Sequence, residues 1–119
     1  MSNQRIATAD APGAIGPYSQ AIDTGAHVFC SGQLGLDPAT GALVSESIAE
    51  QTERALQNLG NVLAAAGLGF ANVAKTTCFL VDLDQFPVFN QRYAAAFPDP
   101  RPARSTIQVA KLPFDANAE

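Results

Sequence analysis

Three short stretches of the chain set groups able to bind or activate a small polar molecule beside backbone that fixes their direction. Gly16-Pro17-Tyr18-Ser19-Gln20 places a phenol immediately after a stiff turn. Cys30-Ser31-Gly32-Gln33 closes a strand-like run with a hydroxyl, then a glycine whose backbone amide can be approached closely. Pro102-Ala103-Arg104-Ser105-Thr106 opens a strand with a guanidinium just beyond a proline-rich loop. Taken one at a time, the plainer readings are favoured: an exposed tyrosine, a strand-end turn and a solvated arginine. Single polar residues at strand ends are common.

Other chemistries lack their parts. His27 is the only histidine, so His-based metal cages and paired His relays are absent, and no metal is expected. A Ser-His-Asp arrangement would need His27 near Ser31, Ser19 or Ser105, and no nucleophile-elbow pattern accompanies it. His27 reads instead as capping the start of a strand. Cys30 and Cys78 stand alone inside apolar segments and read as buried, reduced thiols.

The elements that must position these residues follow from periodicity and breakers. Arg5 to Ala9 reads as a short edge strand, followed by the Pro/Gly segment Ala11 to Pro17. Tyr18 to Ile22 and Ala26 to Ser31 read as a hairpin across Asp23-Thr24-Gly25. Asp37 to Gly41 is a further turn, before a short extension from Ala42 to Val44. Ser47 and Glu50 fit a capping box, and apolar residues recur at Ile48, Ala55, Leu56, Leu59, Val62, Leu63 and Ala66 before Gly67 stops the helix. Val73 to Val81 is β-branched and aromatic, hence a strand. A second helix then carries Phe86, Phe89, Tyr93 and Phe97 as an aromatic stripe, read as core. Ala103 to Ala110 is the last strand. The order β-β-β-α-β-α-β predicts an α+β domain: a mixed β-sheet with two helices packed on one face.

A chain of 119 residues leaves room for one domain. Hydrophobic residues make up 47% and charged residues only 15%, against about 25% in an average soluble protein. Too few charges remain to cover the outside, so apolar surface is expected against another subunit. The seven basic residues (Arg5, Arg54, Lys75, Arg92, Arg101, Arg104 and Lys111) form no run, and the pI is near 4.7. Nucleic acid, which demands clustered Lys and Arg, is a disfavoured partner. The longest apolar stretch, Val62 to Ala71, is far short of the about 20 residues a bilayer span needs, and no apolar signal core follows Met1. No membrane partner is expected, and the chain reads as cytoplasmic in type.

Taken together, seven segments resemble one family in order and spacing: Gly16-Pro17-Tyr18-Ser19-Gln20-Ala21, Ser31-Gly32-Gln33, Asp37 to Gly41, Gln51 to Leu59, Asp82-Leu83, Phe89-Asn90 to Tyr93, and Pro102-Ala103-Arg104-Ser105. The chain is similar to the RidA/YjgF reactive intermediate deaminases over nearly its whole length. The resemblance implies a chorismate-mutase-like α+β fold, one domain over residues 1–119, a homotrimer, and three clefts between subunits. It implies hydrolysis of enamines and imines of the 2-aminoacrylate/2-iminopropanoate type to 2-oxo acids and ammonia, without a cofactor.

Carried over by position, the carboxylate-binding arginine falls on Arg104, whose planar fork suits an α-carboxylate as a lysine would not. Tyr18 takes the place of the tyrosine that closes the cleft. Ser31 and Gly32 match positions whose hydroxyl and amide line the pocket, and Asn90 a supporting polar residue. Thr106 stands where many members have cysteine, so thiol-dependent behaviour is not expected, although its backbone groups remain available. The water-activating glutamate aligns with Glu119, the last residue given, in a closing strand that runs several residues further in the family. Either the sequence is truncated there or the strand end is missing, and a terminal residue is expected to fray. A competing reading keeps the trimer and Arg104 but makes the protein a non-catalytic binder of 2-oxo acids or related small carboxylates. A ribonuclease or translation inhibitor, a reading attached to some relatives, is opposed by the acidic pI.

Overall fold

The computed structural model describes residues 2–119. Three short strands, β1 (Gln4–Ile6), β2 (Ala21–Asp23) and β3 (Val28–Cys30), form an antiparallel meander in the order β1-β2-β3, with Arg5 opposite Ile22 and Ile22 opposite Phe29. The predicted turn is present. The Asp23 carboxylate accepts from the Gly25 amide at 2.8 Å, the His27 carbonyl accepts from the Thr24 amide at 2.9 Å, and Gly25 takes a φ of 92°. His27 thus sits at the start of β3, as expected, though its backbone rather than its ring closes the turn.

Helix α1 (Ile48–Ala65) begins at Ser47, whose hydroxyl accepts from the Glu50 amide at 3.3 Å. Only half of the capping box forms: the Glu50 carboxylate accepts from the Ser45 hydroxyl, and the Ser47 amide donates to that same hydroxyl. Ser45 intercepts the reciprocal bond. The helix stops at Gly67, whose φ of 75° lets its amide reach the Ala64 carbonyl while the Leu68 amide reaches that of Leu63.

The second half is a crossover. Strand β4 (Lys75–Leu80) leads through helix α2 (Phe86–Ala96) to strand β5 (Ala103–Gln108), which returns parallel to β4. Thr76 lies opposite Arg104 and Cys78 opposite Thr106. The other edge of β4 takes residues 117–119 antiparallel, with Phe79 and Glu119 exchanging backbone hydrogen bonds at 2.8 and 2.9 Å. Glu119 therefore does not fray, because both of its main-chain polar groups are tied into the ladder.

Side chains alternate across β4. Cys78 and Leu80 join Phe89, Tyr93 and Phe97 of the α2 region in the main core, with Ile48, Leu56 and Leu59 of α1 and nearby Phe70 against it. Phe79 and Val81 point to the other face, where Leu34, Leu36, Leu112 and Ala116 pack. Full burial of side chains such as Leu80 and Phe97 contributes about 1.5–3 kcal/mol each.

Two expectations are corrected. The strands form two sheets rather than one, because β2 and β3 are only three residues long and the chain from Ser31 to Ser47 runs as turns with a single bridge, Leu36 to Leu43. Cys30 is exposed, not buried: it ends the edge strand β3, past the Ala11, Ala21 and Val62 cluster that takes Val28 on the same face, and Phe29 on the opposite face is 65% exposed. Cys78 is buried as read. Part of the sheet face left over for a partner subunit is covered by the chain's own segments around Leu34–Leu36 and Leu112–Ala116, while Phe29 and Ile107 stay open to solvent. Among the described residues, no helix is long and apolar enough to cross a membrane.

Candidate active site

The residues singled out in the sequence gather in two places. Tyr18, Ser31, Gly32 and Glu119 line one cleft of about 460 Å³, together with Ile15, Gln20 and Phe114 among others. Arg104, Asn90 and Thr106 lie on the β5–α2 side and do not line that cleft.

The cleft is made from loops and chain ends. Tyr18 follows Gly16, whose φ is 132°, and its amide donates to the Gly16 carbonyl at 2.9 Å. Its hydroxyl accepts from the Ile15 amide at 3.3 Å, so the ring folds back over its own turn, about half exposed. The Ser31 hydroxyl donates to the Ser19 carbonyl at 2.6 Å, which ties the second motif to the first. Gly32 lies under the Glu119 carboxylate: a Cβ at that position would stand 2.7 Å from Oε2, closer than any real contact. The glycine is what lets the carboxylate lie across the backbone. Burial pushes the Glu119 carboxyl above its ordinary value, as suits a group that takes a proton from water.

The Arg104 half rests on regular structure. Arg104 Nη1 donates to Asn90 Oδ1 at 2.9 Å, and the guanidinium carbon lies 4.7 Å from the Tyr93 ring centroid and 5.2 Å from that of Phe86. The ion pairs among the described residues are Arg92–Glu53, Arg101–Asp99 and Lys111–Asp115, so Arg104 has no carboxylate partner there. Thr106 projects the same way along β5, and its buried hydroxyl has no hydrogen-bond partner. Each half lacks what the other holds: a cation without an anion, and a carboxylate without a cation.

Three positioning residues escaped the sequence reading. Gln20, buried behind Tyr18, accepts from the Thr8 amide at 2.7 Å and donates to the Thr8, Ala11 and Pro12 carbonyls. A Pro/Gly loop is short of donors, so its carbonyls need a side-chain amide; a glutamine beside such a loop was the available signal. Asn58 donates to the Leu34 and Leu36 carbonyls at 3.1 and 2.9 Å, and Gln51 accepts from the Asn117 amide at 2.7 Å. Seven residues apart, they interrupt the buried side of α1 with polar side chains, and that interruption was the available signal. Gly35 lies against the helix there, since a Cβ would stand 2.6 Å from the backbone of Gln51.

A second groove, of about 360 Å³, lies between the outer faces of α1 and α2, and its only charged groups, Glu53 and Arg92, neutralise each other. Among the described residues, no group of three or more His, Cys, Asp or Glu side chains gathers as a metal site.

The family model described as Endoribonuclease L-PSP matches residues 8–119. The chain is 53% identical to Reactive Intermediate Deaminase A, chloroplastic, of Arabidopsis thaliana over 119 residues, all of this chain but 64% of that relative, so it spans less than two thirds of the plant protein. It is 48% identical to the 2-iminobutanoate/2-iminopropanoate deaminase of Homo sapiens over 114 residues, 96% of this chain and 83% of that one. Among solved structures, RidA from the Antarctic bacterium Psychrobacter sp. PAMC 21119 superposes with a TM-score of 0.93 at 41% identity, covering 97% of this chain and 93% of that one. E. coli TdcF with bound serine superposes with a TM-score of 0.90 at 39% identity, covering 97% and 92%.

Proposed function

This chain belongs to the Endoribonuclease L-PSP family, the RidA/YjgF group of the sequence resemblance, and from that premise we propose that it hydrolyses reactive enamines and imines of small 2-amino acids to 2-oxo acids and ammonia. The observation that carries this reading is the pair of complementary half-sites. Arg104 is held ready with no anion, and Glu119 lies in a cleft with no cation. A homotrimer with the chorismate-mutase-like arrangement would bring the Arg104 half of one subunit against the Glu119 half of the next, and the open Phe29 and Ile107 supply apolar surface for such contacts.

In the assembled cleft, Arg104 binds the substrate carboxylate and fixes the electrophilic carbon, with Asn90 orienting the guanidinium. The Glu119 carboxylate takes a proton from a water whose oxygen adds to the C=N carbon. Addition to the protonated imine gives a carbinolamine; the Glu119 carboxyl returns its proton to the nitrogen, the C–N bond breaks, and ammonia leaves as the hydroxyl proton passes to the Glu119 carboxylate and the C=O bond forms. Ser31 and the Gly32 amide line the pocket, Tyr18 covers it, and the backbone at Thr106 faces the substrate. Such imines already hydrolyse in water, so positioning and one base suffice. Two unlinked cysteines suit a reducing, cytoplasmic-type compartment.

The test couples a serine dehydratase, which releases 2-aminoacrylate, to pyruvate formation. Wild type accelerates pyruvate release and Arg104→Ala does not; equal rates for the two would overturn the assignment. Mixed assemblies of Arg104→Ala and Glu119→Gln chains then report whether the halves come from different subunits. In a random mixture about one cleft in four is intact, so about a quarter of wild-type activity returns. A mixture as inactive as its parents would place both groups in one chain.

A further inference from the structure

The aromatic stripe on α2 divides its labour. Phe89 and Phe97 are core residues in full, but Phe86 and Tyr93 also stand under the Arg104 guanidinium. Phe86, Asn90 and Tyr93 follow one another at four- and three-residue spacing, so they share a face of the helix, and Arg104 meets all three. Tyr93 is itself fixed: its hydroxyl is 2.6 Å from the Thr76 hydroxyl, and Thr76 is the residue opposite Arg104 in the β4–β5 register. Strand, helix and strand thus close a ring of contacts around one cation.

We infer that Tyr93, locked by Thr76, is a positioning residue that presents Arg104 to the substrate carboxylate. The inference rests on the reading of Arg104 as the carboxylate-binding group. An arginine side chain loses much rotamer freedom when it binds. Packing the guanidinium against aromatic faces removes that freedom beforehand, and the rings attract the cation without neutralising it. A carboxylate in their place would occupy the fork that the substrate needs. The Asn90 carbonyl oxygen takes one donor of Nη1 and carries no charge, leaving the remaining donors for the ligand. The clamp therefore acts on binding: it raises affinity for the carboxylate while leaving the water-activating group untouched.

Tyr93→Leu, Tyr93→Phe and Thr76→Val test this, with turnover of 2-aminoacrylate and calorimetric binding of 2-oxobutyrate as separate readouts. Loss of the ring in Tyr93→Leu raises KM and the 2-oxobutyrate Kd about five- to ten-fold, the range of a partly buried cation–π contact, with kcat within about two-fold. Tyr93→Phe and Thr76→Val each raise both constants about two-fold, and the double variant is no worse than either single one, because both break one hydrogen bond. Binding of 2-butanone, which lacks the carboxylate, stays the same throughout. Unchanged KM and Kd in a Tyr93→Leu protein of wild-type size and melting temperature would overturn the inference. So would additive losses in the double variant, and these two conservative changes carry the test if Tyr93→Leu does not fold. Should wild type bind 2-oxobutyrate through Arg104 yet turn nothing over, the deaminase reading fails while the binding series still decides the clamp.

Discussion

The two half-sites are built by opposite means. Around Glu119 the working groups sit on loops, a strand end and a closing segment, held by side chains that reach across to backbone: Gln20 to the Pro/Gly loop, Asn58 to the Leu34 and Leu36 carbonyls, Gln51 to Asn117. Around Arg104 the groups sit on a strand and a helix, and two aromatic faces with one Asn90 carbonyl do the holding. The first means depends on directional bonds, each of which leaves a buried group unpaired if removed. The second depends on area and tolerates small displacements. A proton-transferring group needs its angle fixed, whereas a charge that anchors a carboxylate needs chiefly its place.

The sharpest break of that contrast falls at Glu119. Glu119→Gln keeps the shape but removes the base, and kcat/KM should fall about 10²–10⁴-fold. Because burial raises the wild-type carboxyl, it becomes an effective base only as pH rises through a value above the ordinary glutamate one. The wild-type pH–rate profile should therefore show an acid limb displaced upward, and the variant should lose it. The linked stability runs the other way: the neutral carboxyl is favoured in the fold, so this contribution is present at low pH and fades as pH climbs through the shifted value. A limb at the usual glutamate position, or one that survives in the variant, would remove Glu119 from the reaction.

A middle-sized effect tests the latches. Gln20→Ala strips the Pro/Gly loop of its donor and acceptor together and should cost about 2 kcal/mol in denaturant unfolding, with faster amide exchange at Thr8. Turnover should drop through KM as Tyr18 loosens, while Arg104→Ala chains still complement in mixed assemblies. Unchanged stability would mean that the loop holds itself. The smallest change is on the other side. Thr106→Val removes a buried hydroxyl that has no partner, and should raise stability by about 1 kcal/mol in thermal melts, with turnover near wild type. A loss of stability there would show that the hydroxyl is satisfied in the assembled protein.

The sequence carried the order of elements well, because each rests on local signals. The α1 stripe with its Gly67 stop, the proline block after α2 and the β-branched run of β4 all lie where read. It erred where tertiary partners decide. The first strands are shorter than read, and Cys30 is exposed, since nothing in a six-residue window tells an edge strand from a central one. The chemistry proposed for Arg104, Tyr18 and Glu119 could be read only through seven motifs in common register. That Phe86 and Tyr93 serve the arginine was invisible, since core and clamp demand the same residue types at the same spacing.

The crossover from β4 through α2 to β5 is one uninterrupted stretch, 75–108, and it holds everything that grips the arginine: Thr76, Phe86, Asn90, Tyr93 and Arg104 itself. The opposing half is collected from positions between Pro12 and Glu119 and exists only once the whole chain has closed. The half proposed to grip the anion is thus portable. Exchanged as a block between relatives, the crossover would carry its ligand preference with it, whereas the half proposed to hydrolyse would have to be inherited entire.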